Sequence, residues 1–431
     1  MDKVGKYKIL KELGRGATSV VYLALDAFGQ REVALKVLFP DALDNPDYGK
    51  RYKKLFVTEA SLAGKLSHPH IVAIYDAGES EGVSYIVMEY VPGETLEAYC
   101  RAERLLPIHQ VLEIAFKCCK ALDYAHRMGV IHRDIKPANI LMNRQGDIKI
   151  SDFGAALTAS AESTQVSGIG SPAYMSPEQI QERSLTHQTD IYSLGVVVYQ
   201  LLTGTLPFKA TNNYSMIYQI LNVDPQPSSV FRPEIPAAVD VIVKQALQKD
   251  SAARYRTWDE FAQALSSVFQ NLAAPAEVVP DAEKFNVLRG LSFFRQFGDV
   301  ELWEVLRIAI WNKYSSAAPI VREGEVGRVF YVLAAGDVKV TKEGKLLNIL
   351  KPGECFGEMA YLGKRKFQRT ASVATAGPAT VIEIDPEALA AASEGCRHRF
   401  TEAFLEILVD RLAMANTRLS QLLLDRNISF F

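Results

Sequence analysis

Two short stretches near the middle of the chain decide its fold: His132-Arg133-Asp134-Ile135-Lys136-Pro137-Ala138-Asn139 and Asp152-Phe153-Gly154. Together they contain four polar groups of different chemistry. The Asp134 carboxylate can orient or deprotonate a hydroxyl group, and the Lys136 ammonium can neutralise a phosphoryl group. The Asn139 and Asp152 side chains offer the hard oxygen ligands that Mg²⁺ prefers. This combination predicts a site for phosphoryl transfer.

The order H-R-D-x-K-x-x-N followed by D-F-G resembles the catalytic core of eukaryotic-type protein kinases. Lys136 is similar to the residue found in their serine/threonine-specific branch. The resemblance implies a bilobal α+β kinase fold over residues 7–270, which uses ATP and Mg²⁺ to phosphorylate protein substrates. It also implies that Asp134, Lys136, Asn139 and Asp152 are catalytic and that the last two bind the metal.

A glycine-rich loop near the N-terminus has the sequence Leu13-Gly14-Arg15-Gly16-Ala17-Thr18-Ser19-Val20-Val21. Gly14 and Gly16 lack a Cβ, so the backbone can approach a triphosphate and direct its N–H groups at the oxygens. The third glycine of the family pattern is Ser19 here, and its small side chain should still let the loop close. A plain hairpin turn is the alternative, but Val33-Ala34-Leu35-Lys36 follows at the distance that the resemblance requires.

Lys36 is the expected ligand of the α- and β-phosphates, and its ammonium needs a carboxylate partner. The resemblance gives that role to Glu59 on a helical stretch; alternatively, Glu59 is one of several solvent-facing acids. Met88 would be the gatekeeper, and backbone groups of Glu89 and Val91 would contact the adenine edge. The nucleotide-binding residues expected from the resemblance are Leu13, Gly14, Gly16, Val21, Ala34, Lys36, Glu59, Met88, Glu89, Val91 and Leu141.

Other residues match positions that brace the core of such kinases. Glu178 would form an ion pair with Arg254, and Asp190 would hold the backbone of the catalytic loop. His132 and Phe153 are expected to pack in the core and to take no part in the chemistry.

The segment between Gly154 and Ser176 is rich in hydroxyl groups and corresponds to the activation segment of kinases. A phosphate there would form charge-assisted hydrogen bonds, for which Arg133 is a ready partner. Alternatively, these hydroxyls are simply typical of loops. The candidate phosphorylation sites are Ser163, Thr164, Ser167 and Ser171.

The composition is that of an ordinary globular protein, with 48% hydrophobic and 23% charged residues. The net charge of -2 argues against bulk attraction to nucleic acid or to an anionic membrane. The five cysteines fit neither a zinc site nor a disulfide framework, which favours a reducing cytoplasm. Ile191 to Leu202 is too short and too polar to span a bilayer, so we expect a buried helix in a soluble, cytoplasmic protein.

A change of composition around Pro275 and Pro280 predicts a linker from Asn271 to Lys284. After it, Leu302 to Ile310 has a helical pattern, and many short strand-like runs with glycines between them predict a β-barrel or jelly roll over residues 285–396. A C-terminal helix is expected over 397–431.

Three segments of this second part resemble a cyclic-nucleotide-binding domain: Ile320 to Gly327, Tyr331 to Val340, and Leu350 to Ala360 followed by Arg369 to Val373. The resemblance implies cAMP or cGMP as a regulatory ligand. The alternative is a barrel that has lost its ligand and serves dimerisation or docking.

In that resemblance Arg369 would bind the cyclic phosphate in a bidentate fork, and Glu358 would accept the ribose 2′-OH. Backbone N–H groups near Gly357 would add an anion site. Arg365, in a basic cluster, is an alternative to Arg369. The complete predicted set is Gly357, Glu358, Met359, Ala360, Arg369 and Thr370.

The C-terminal helix has apolar residues spaced three and four apart, which suits either a coiled-coil homodimer or a lid packed on its own domain. They are Leu405, Leu408, Leu412, Ala415, Leu419 and Leu422. The leading hypothesis is a serine/threonine protein kinase coupled to a cyclic-nucleotide sensor. A catalytically silent nucleotide-binding scaffold is the alternative, and a transcription regulator is disfavoured because a DNA-reading segment is not seen.

Overall fold

The computed structural model describes residues 2–16, 18–39, 56–62, 64–153, 157–158, 172–269, 280–358 and 368–425. These residues form two compact units, Met1–Val278 and Val279–Phe431. The first unit combines an antiparallel sheet with a helical part, and the second consists of two small sheets and several helices. The α+β fold class predicted from the sequence is confirmed.

The first unit begins with a six-stranded antiparallel sheet in the order β1-β2-β3-β4-β6-β5. Alternation of apolar and polar residues forms these strands, and their inner face encloses a core that includes Val20, Val33 and Leu35. The strands are β1 (Lys3–Val4), β2 (Tyr7–Arg15), β3 (Ser19–Asp26), β4 (Arg31–Leu38), β5 (Ile74–Ser80) and β6 (Val83–Glu89).

The helical part of the first unit is built around α3, which is buried along most of its length. It contains the predicted buried helix Ile191 to Leu202, and it ends at Gly204, whose φ of 73° a residue without a Cβ adopts easily. The helices are α1 (Ile108–Arg127), α2 (Pro177–Ile180), α3 (His187–Thr203), α4 (Asn213–Asn222), α5 (Ala237–Ala246) and α6 (Trp258–Phe269). Within the described ranges, no helix is long and apolar enough to cross a membrane.

Five short strands position the H-R-D stretch at residues 132–139 and the D-F-G stretch that begins at Asp152. Strand β8 ends just before His132, β9 begins just after Asn139, and β10 ends two residues before Asp152. These strands therefore hold the catalytic stretches in adjacent turns. Their bounds are β7 (Gly93–Thr95), β8 (Val130–Ile131), β9 (Ile140–Asn143), β10 (Ile148–Ile150) and β11 (Leu157–Thr158).

The second unit contains two four-stranded antiparallel sheets, β12-β19-β14-β17 and β13-β18-β15-β16. Their inner faces share one apolar core that includes Leu333, Val338 and Val381. The strands are β12 (Ala309–Tyr314), β13 (Pro319–Val321), β14 (Phe330–Ala335), β15 (Val338–Lys342), β16 (Lys345–Leu350), β17 (Cys355–Phe356), β18 (Ser372–Thr375) and β19 (Ala379–Ile384).

The helices of the second unit are α7 (Asp281–Gly290), α8 (Asp299–Ile308), α9 (Pro386–Ala390) and α10 (Glu394–Asp425). Three predicted boundaries were wrong. The helix expected to end at Ile310 ends at Ile308, because Ala309 already pairs with Ile384 in the sheet. The last four residues of the predicted linker are helical, since α7 starts right after Pro280. The final helix starts at Glu394, three residues before the predicted Arg397.

Aromatic side chains fasten α10 to the rest of the second unit. Phe400 and Phe404 lie one helical turn apart and are both almost fully buried. The ring of Phe404 lies 5.0 Å from that of Phe330 on β14, and the ring of Phe400 lies 5.0 Å from that of Phe297. The first three turns of α10 thus contribute to the core of this unit.

Candidate functional site

One lysine joins two carboxylates in the first unit. Lys36 on β4 donates a hydrogen bond to Glu59 Oε2 at 2.7 Å and another to Asp152 Oδ1 at 2.8 Å. Glu59 lies in the helical segment 56–60 and is only 2% exposed, so it is not one of several solvent-facing acids. The three charges come from separate parts of the chain and meet at one place.

Burial and charge act in opposite directions on these groups. Burial disfavours the charged form of Lys36, but Asp152 and Glu59 outweigh it and raise its pKa. The positive charge of Lys36 lowers the pKa of Asp152 in spite of desolvation. Burial raises the pKa of Glu59, and Lys36 opposes that rise. The lysine is therefore held charged, with an anionic Asp152 beside it.

The Asp134 carboxylate is oriented by two neighbours on the same turn. Lys136 Nζ donates to Asp134 Oδ2 at 2.7 Å, and Asn139 Nδ2 donates to the same oxygen at 3.1 Å. Asn139 Nδ2 also donates to the Asp134 carbonyl at 2.8 Å. Both Asn139 bonds use its amide nitrogen, which leaves the amide oxygen as a hard ligand for a cation.

Asp190 on α3 holds the backbone that leads to Asp134, as expected. Its two oxygens accept from the backbone N–H groups of His132 at 2.8 Å and Arg133 at 2.7 Å. Burial raises the pKa of Asp190, while His132 and these N–H groups act to lower it. Arg133 and Asp152 have φ values of 69° and 63°. This left-handed backbone conformation is unfavourable for residues other than glycine, so the surrounding contacts must hold it in place.

The residues expected to brace the core make the contacts that the kinase resemblance implies. Arg254 donates to both oxygens of Glu178, at 2.7 Å and 2.8 Å, and its side chain is fully buried. The His132 and Phe153 rings are 4.4 Å apart, and both residues are buried. The ring contact joins the two catalytic stretches to each other, and the ion pair joins α2 to the segment that precedes α6.

Most of the apolar residues predicted to line a nucleotide pocket belong to one cluster. Ala34, Met88 and Val91 are buried in it, with Val21 and Leu141 packed against them. Leu13 lies outside the cluster and is 41% exposed. The space beside Gly14 is open, because a Cβ there would meet no atom of the described residues within 4 Å.

At the expected adenine edge, one of the two backbone polar groups of Glu89 is already hydrogen-bonded within the protein. Its backbone N–H donates to the Ala73 carbonyl at 2.8 Å, so only its carbonyl is left for a base. The Glu89 carboxylate forms an ion pair with Lys149 Nζ at 2.9 Å, so its side chain has a structural role.

Several predicted residues lie outside the described residues. They are Gly154, Met359, Ala360, Arg365 and the four candidate phosphorylation sites Ser163, Thr164, Ser167 and Ser171.

In the second unit, Arg369 comes close to the backbone around Gly357. Its Nη1 donates to the Gly357 carbonyl at 3.3 Å, and its Nη2 donates to the Val329 carbonyl at 2.7 Å. Gly327 makes room for it, because a Cβ there would lie 2.0 Å from Arg369 Nε. Thr370, which follows, is exposed.

Glu358 has a partner that the sequence analysis missed. Its Oε1 accepts a hydrogen bond at 2.7 Å from Arg411 Nη1 on α10, and Arg411 Nη2 donates to the Cys355 carbonyl. Glu358 is 6% exposed. Arg411 therefore links the predicted ribose-binding carboxylate to the C-terminal helix.

The residues of the first unit suit a nucleotide with its metal. Asp152 and Asn139 supply oxygen ligands and are brought together by the bond from the Ser151 N–H to the Asn139 carbonyl at 2.8 Å. Lys36, held by Glu59, supplies a cation for the phosphates, and the apolar cluster around Met88 suits a base.

Comparison with known proteins supports this assignment. Residues 7–269 match the protein kinase domain family, and residues 311–394 match the cyclic nucleotide-binding domain family. The first match covers more than half of the chain, and the chain belongs to the protein kinase family.

Bacterial serine/threonine-protein kinases are among its relatives. A probable serine/threonine-protein kinase of Streptomyces coelicolor is 40% identical over 59% of this chain and 39% of its own length. Serine/threonine-protein kinase PrkC of Bacillus subtilis is 34% identical over 79% of this chain and 49% of its own length. PknB of Mycobacterium tuberculosis is 37% identical over 66% of this chain and 46% of its own length. The chain thus spans less than half the length of these relatives.

Proposed function

We propose that this chain is a serine/threonine protein kinase that transfers the γ-phosphoryl group of ATP to hydroxyl groups of protein substrates. The observation that carries the proposal is the Lys36 ammonium held between Glu59 and Asp152 in a chain that belongs to the protein kinase family. A silent scaffold has no need to keep all three charges in contact.

Each residue has a part in the proposed reaction. Asp134 orients the substrate hydroxyl and accepts its proton. Lys136, whose Nζ lies 2.7 Å from Asp134 Oδ2, neutralises charge on the phosphoryl group during transfer. Lys36 holds the α- and β-phosphates, while Asn139 and Asp152 hold Mg²⁺. The bound metal neutralises charge on the phosphates.

A transfer assay with radiolabelled ATP and a generic protein substrate tests this proposal. Asp134→Asn keeps the shape of the side chain and removes the carboxylate, so incorporation of label should fall far below that of the unaltered chain. Equal labelling by both proteins would point to a contaminating kinase. ATP binding without transfer by the unaltered chain would support the scaffold alternative.

We also propose that phosphorylation of the activation segment, at Ser163, Thr164, Ser167 or Ser171, regulates the kinase. Support comes from Arg133, which directly precedes the catalytic Asp134 and is rich in hydrogen-bond donors. Mass spectrometry of protein made with and without ATP identifies the modified residue, and an unmodified segment in both samples would refute the idea.

For the second unit we propose a cyclic-nucleotide sensor that binds cAMP or cGMP. Arg369 would turn its guanidinium from the Val329 and Gly357 carbonyls to the cyclic phosphate, and Glu358 would accept the ribose 2′-OH with the oxygen that Arg411 does not use. Titration calorimetry with cAMP, cGMP and cyclic dinucleotides tests this. Heat from none of them would favour a ligand-free docking barrel.

Two further expectations concern assembly and location. We propose that the chain forms a homodimer through α10, because Leu405 and Leu412 are each 63% exposed along one stripe of this helix.

We propose a cytoplasmic location, because the five cysteines are free and buried, as is usual in a reducing compartment.

A further inference from the structure

A buried glutamine on α2 contacts the catalytic loop across a long sequence separation. Gln179 Nε2 donates a 2.8 Å hydrogen bond to the carbonyl of Arg133, which lies 46 residues earlier in the chain. Gln179 is 9% exposed, and the structure puts its amide close to the backbone that leads into Asp134.

The orientation of this amide is fixed from its other end. Gln179 Oε1 accepts from the backbone N–H of Ser176 at 3.0 Å, and the Ser176 hydroxyl accepts from the Gln179 N–H at 3.2 Å. These two bonds form a capping box at the start of α2. Because the oxygen faces an N–H donor, the amide nitrogen must face the Arg133 carbonyl.

The carbonyl that Gln179 holds belongs to a strained peptide. Arg133 has a φ of 69°, and its N–H is already held by Asp190 at 2.7 Å. Its carbonyl is part of the same peptide plane as the N–H of Asp134. Gln179 on one side and Asp190 on the other therefore hold both polar groups of a residue that would otherwise relax to an ordinary backbone conformation.

Helix α2 is itself a firm support. Glu178, next to Gln179, is bonded by both oxygens to the buried Arg254 and also accepts from Thr189 Oγ1 at 2.9 Å. A hydrogen bond from such an anchored helix can fix the position of its partner, and small displacements of a catalytic group reduce the rate strongly.

We propose that Gln179 is a positioning residue for phosphoryl transfer: it fixes the Arg133–Asp134 peptide plane so that the Asp134 carboxylate faces the substrate hydroxyl. This inference rests on the proposed kinase function. It assigns Gln179 no contact with substrate or nucleotide.

Three variants test the proposal. Gln179→Met keeps the size of the side chain and removes the donor, whereas Gln179→Glu keeps an acceptor for the Ser176 N–H and puts an oxygen against the Arg133 carbonyl. Ser176→Ala is the matched control, because it weakens the cap of α2 and leaves the Gln179–Arg133 bond in place. Each is compared with the unaltered chain by kcat, KM for ATP and thermal unfolding.

We expect Gln179→Met to lower kcat by about 10- to 100-fold with little change in KM for ATP, on the scale of a misplaced catalytic group. Gln179→Glu should be equally poor near neutral pH and recover relative to the unaltered chain as the pH falls, because a protonated glutamic acid can donate to the carbonyl again. Ser176→Ala should lose thermal stability and keep most of kcat.

Hydrogen–deuterium exchange of peptides that cover residues 130–136 gives a readout that needs no activity. Exchange there should be faster in Gln179→Met than in Ser176→Ala. If the unaltered chain transfers no phosphate, the proposed function fails, and the exchange result still shows whether Gln179 holds the backbone of residues 130–136. Unchanged exchange in Gln179→Met, or loss of kcat in parallel with stability in Gln179→Met and Ser176→Ala, overturns the inference.

Discussion

Lys36 Nζ lies 2.7 Å from Glu59 Oε2, although Glu59 belongs to a different element and is almost completely buried. The same ammonium lies 2.8 Å from Asp152 Oδ1. A lysine held between two acids has a fixed position, and a nucleotide can then use its charge without first ordering the side chain.

Replacing Glu59 by glutamine should leave Lys36 less firmly held. We expect Glu59→Gln to lower kcat/KM for ATP by about 10²–10³-fold, the scale seen when one preorganised electrostatic group is removed. Steady-state phosphorylation of a generic substrate at varied ATP measures the effect. The matched control is Glu103→Gln, at an exposed position. Equal activity of both variants would show that Lys36 does not depend on Glu59.

The Glu178–Arg254 pair should contribute strongly to stability. The Arg254 side chain is fully buried, and that of Glu178 is 11% exposed. Removing one partner leaves a buried charge uncompensated, so Glu178→Ala should lower the free energy of unfolding by about 3–5 kcal/mol. Denaturant titration measures this. Glu94→Ala, which breaks the exposed pair with Arg104, should have little effect.

The same pair should make stability depend on pH. Burial alone would raise the pKa of Glu178, but the hydrogen bonds and charge of Arg254 outweigh it and lower that pKa below its ordinary value of 4.5. A carboxyl group with a lowered pKa in the folded state stabilises the fold above its unfolded pKa. This stability is lost as the pH falls below 4.5 and through the folded-state pKa.

Glu178→Gln is the comparison for this pH dependence. Its side chain does not ionise, so it adds no pH-dependent term to the free energy of unfolding. The difference in unfolding free energy between the unaltered chain and Glu178→Gln should therefore narrow as the pH is lowered from about 6 to about 3, a range that includes the ordinary glutamate pKa of 4.5. A constant gap across that range would contradict the assignment.

The sequence predicted the fold class, and it pointed to the residues proposed for catalysis, because its motifs resemble those of protein kinases. The strand pattern around Lys36 and the H-R-D and D-F-G stretches are examples. Boundaries were less certain, since Ile310 fits a helical pattern and is drawn into β12 by pairing with Glu383. Tertiary pairing overrode local propensity there.

Contacts between distant residues that neither family resemblance implies could not be predicted from the sequence. Gln179 sits in a short capping-box helix, and its link to Arg133 depends on a left-handed φ that the sequence does not reveal. Arg411 is 53 residues from Glu358 and lies on α10. The apolar spacing of this helix indicates packing or dimerisation and says nothing about the partners of its charged residues. Two arginines, Arg411 and Arg418, stand among the leucines of α10, and the sequence alone does not single out Arg411.

The exposed leucines of α10 predict self-association. Leu405→Glu combined with Leu412→Glu would place charges along the stripe and should convert a dimer into a monomer, because burying unpaired carboxylates at an interface is costly. Sedimentation velocity over a range of concentrations measures the change. Asp410→Lys, at another exposed position of α10, is the control. If the unaltered chain sediments as a monomer at every concentration, the homodimer proposal is refuted.

Arg411 should act on the proposed ligand site through the Glu358 carboxylate. Arg369→Ala should weaken binding of a cyclic nucleotide by about 10- to 150-fold, because a charged hydrogen-bond pair to the phosphate is lost. Arg411 holds only Oε1 of Glu358, so it should orient the carboxylate for the ribose 2′-OH and not compete with it. Arg411→Ala should therefore weaken binding by a smaller factor than Arg369→Ala.

Analogues without the 2′-OH separate orientation from a general effect. The unaltered chain should bind the 2′-deoxy cyclic nucleotide more weakly than the parent compound, and this difference should vanish in Glu358→Ala, which leaves no side-chain acceptor for the 2′-OH. In Arg411→Ala the difference should shrink, because the effects of two changes on one interaction are not additive. In Arg369→Ala the difference should persist, since the phosphate contact is separate from the ribose. A full 2′-deoxy penalty in Arg411→Ala would show that Arg411 does not act through Glu358.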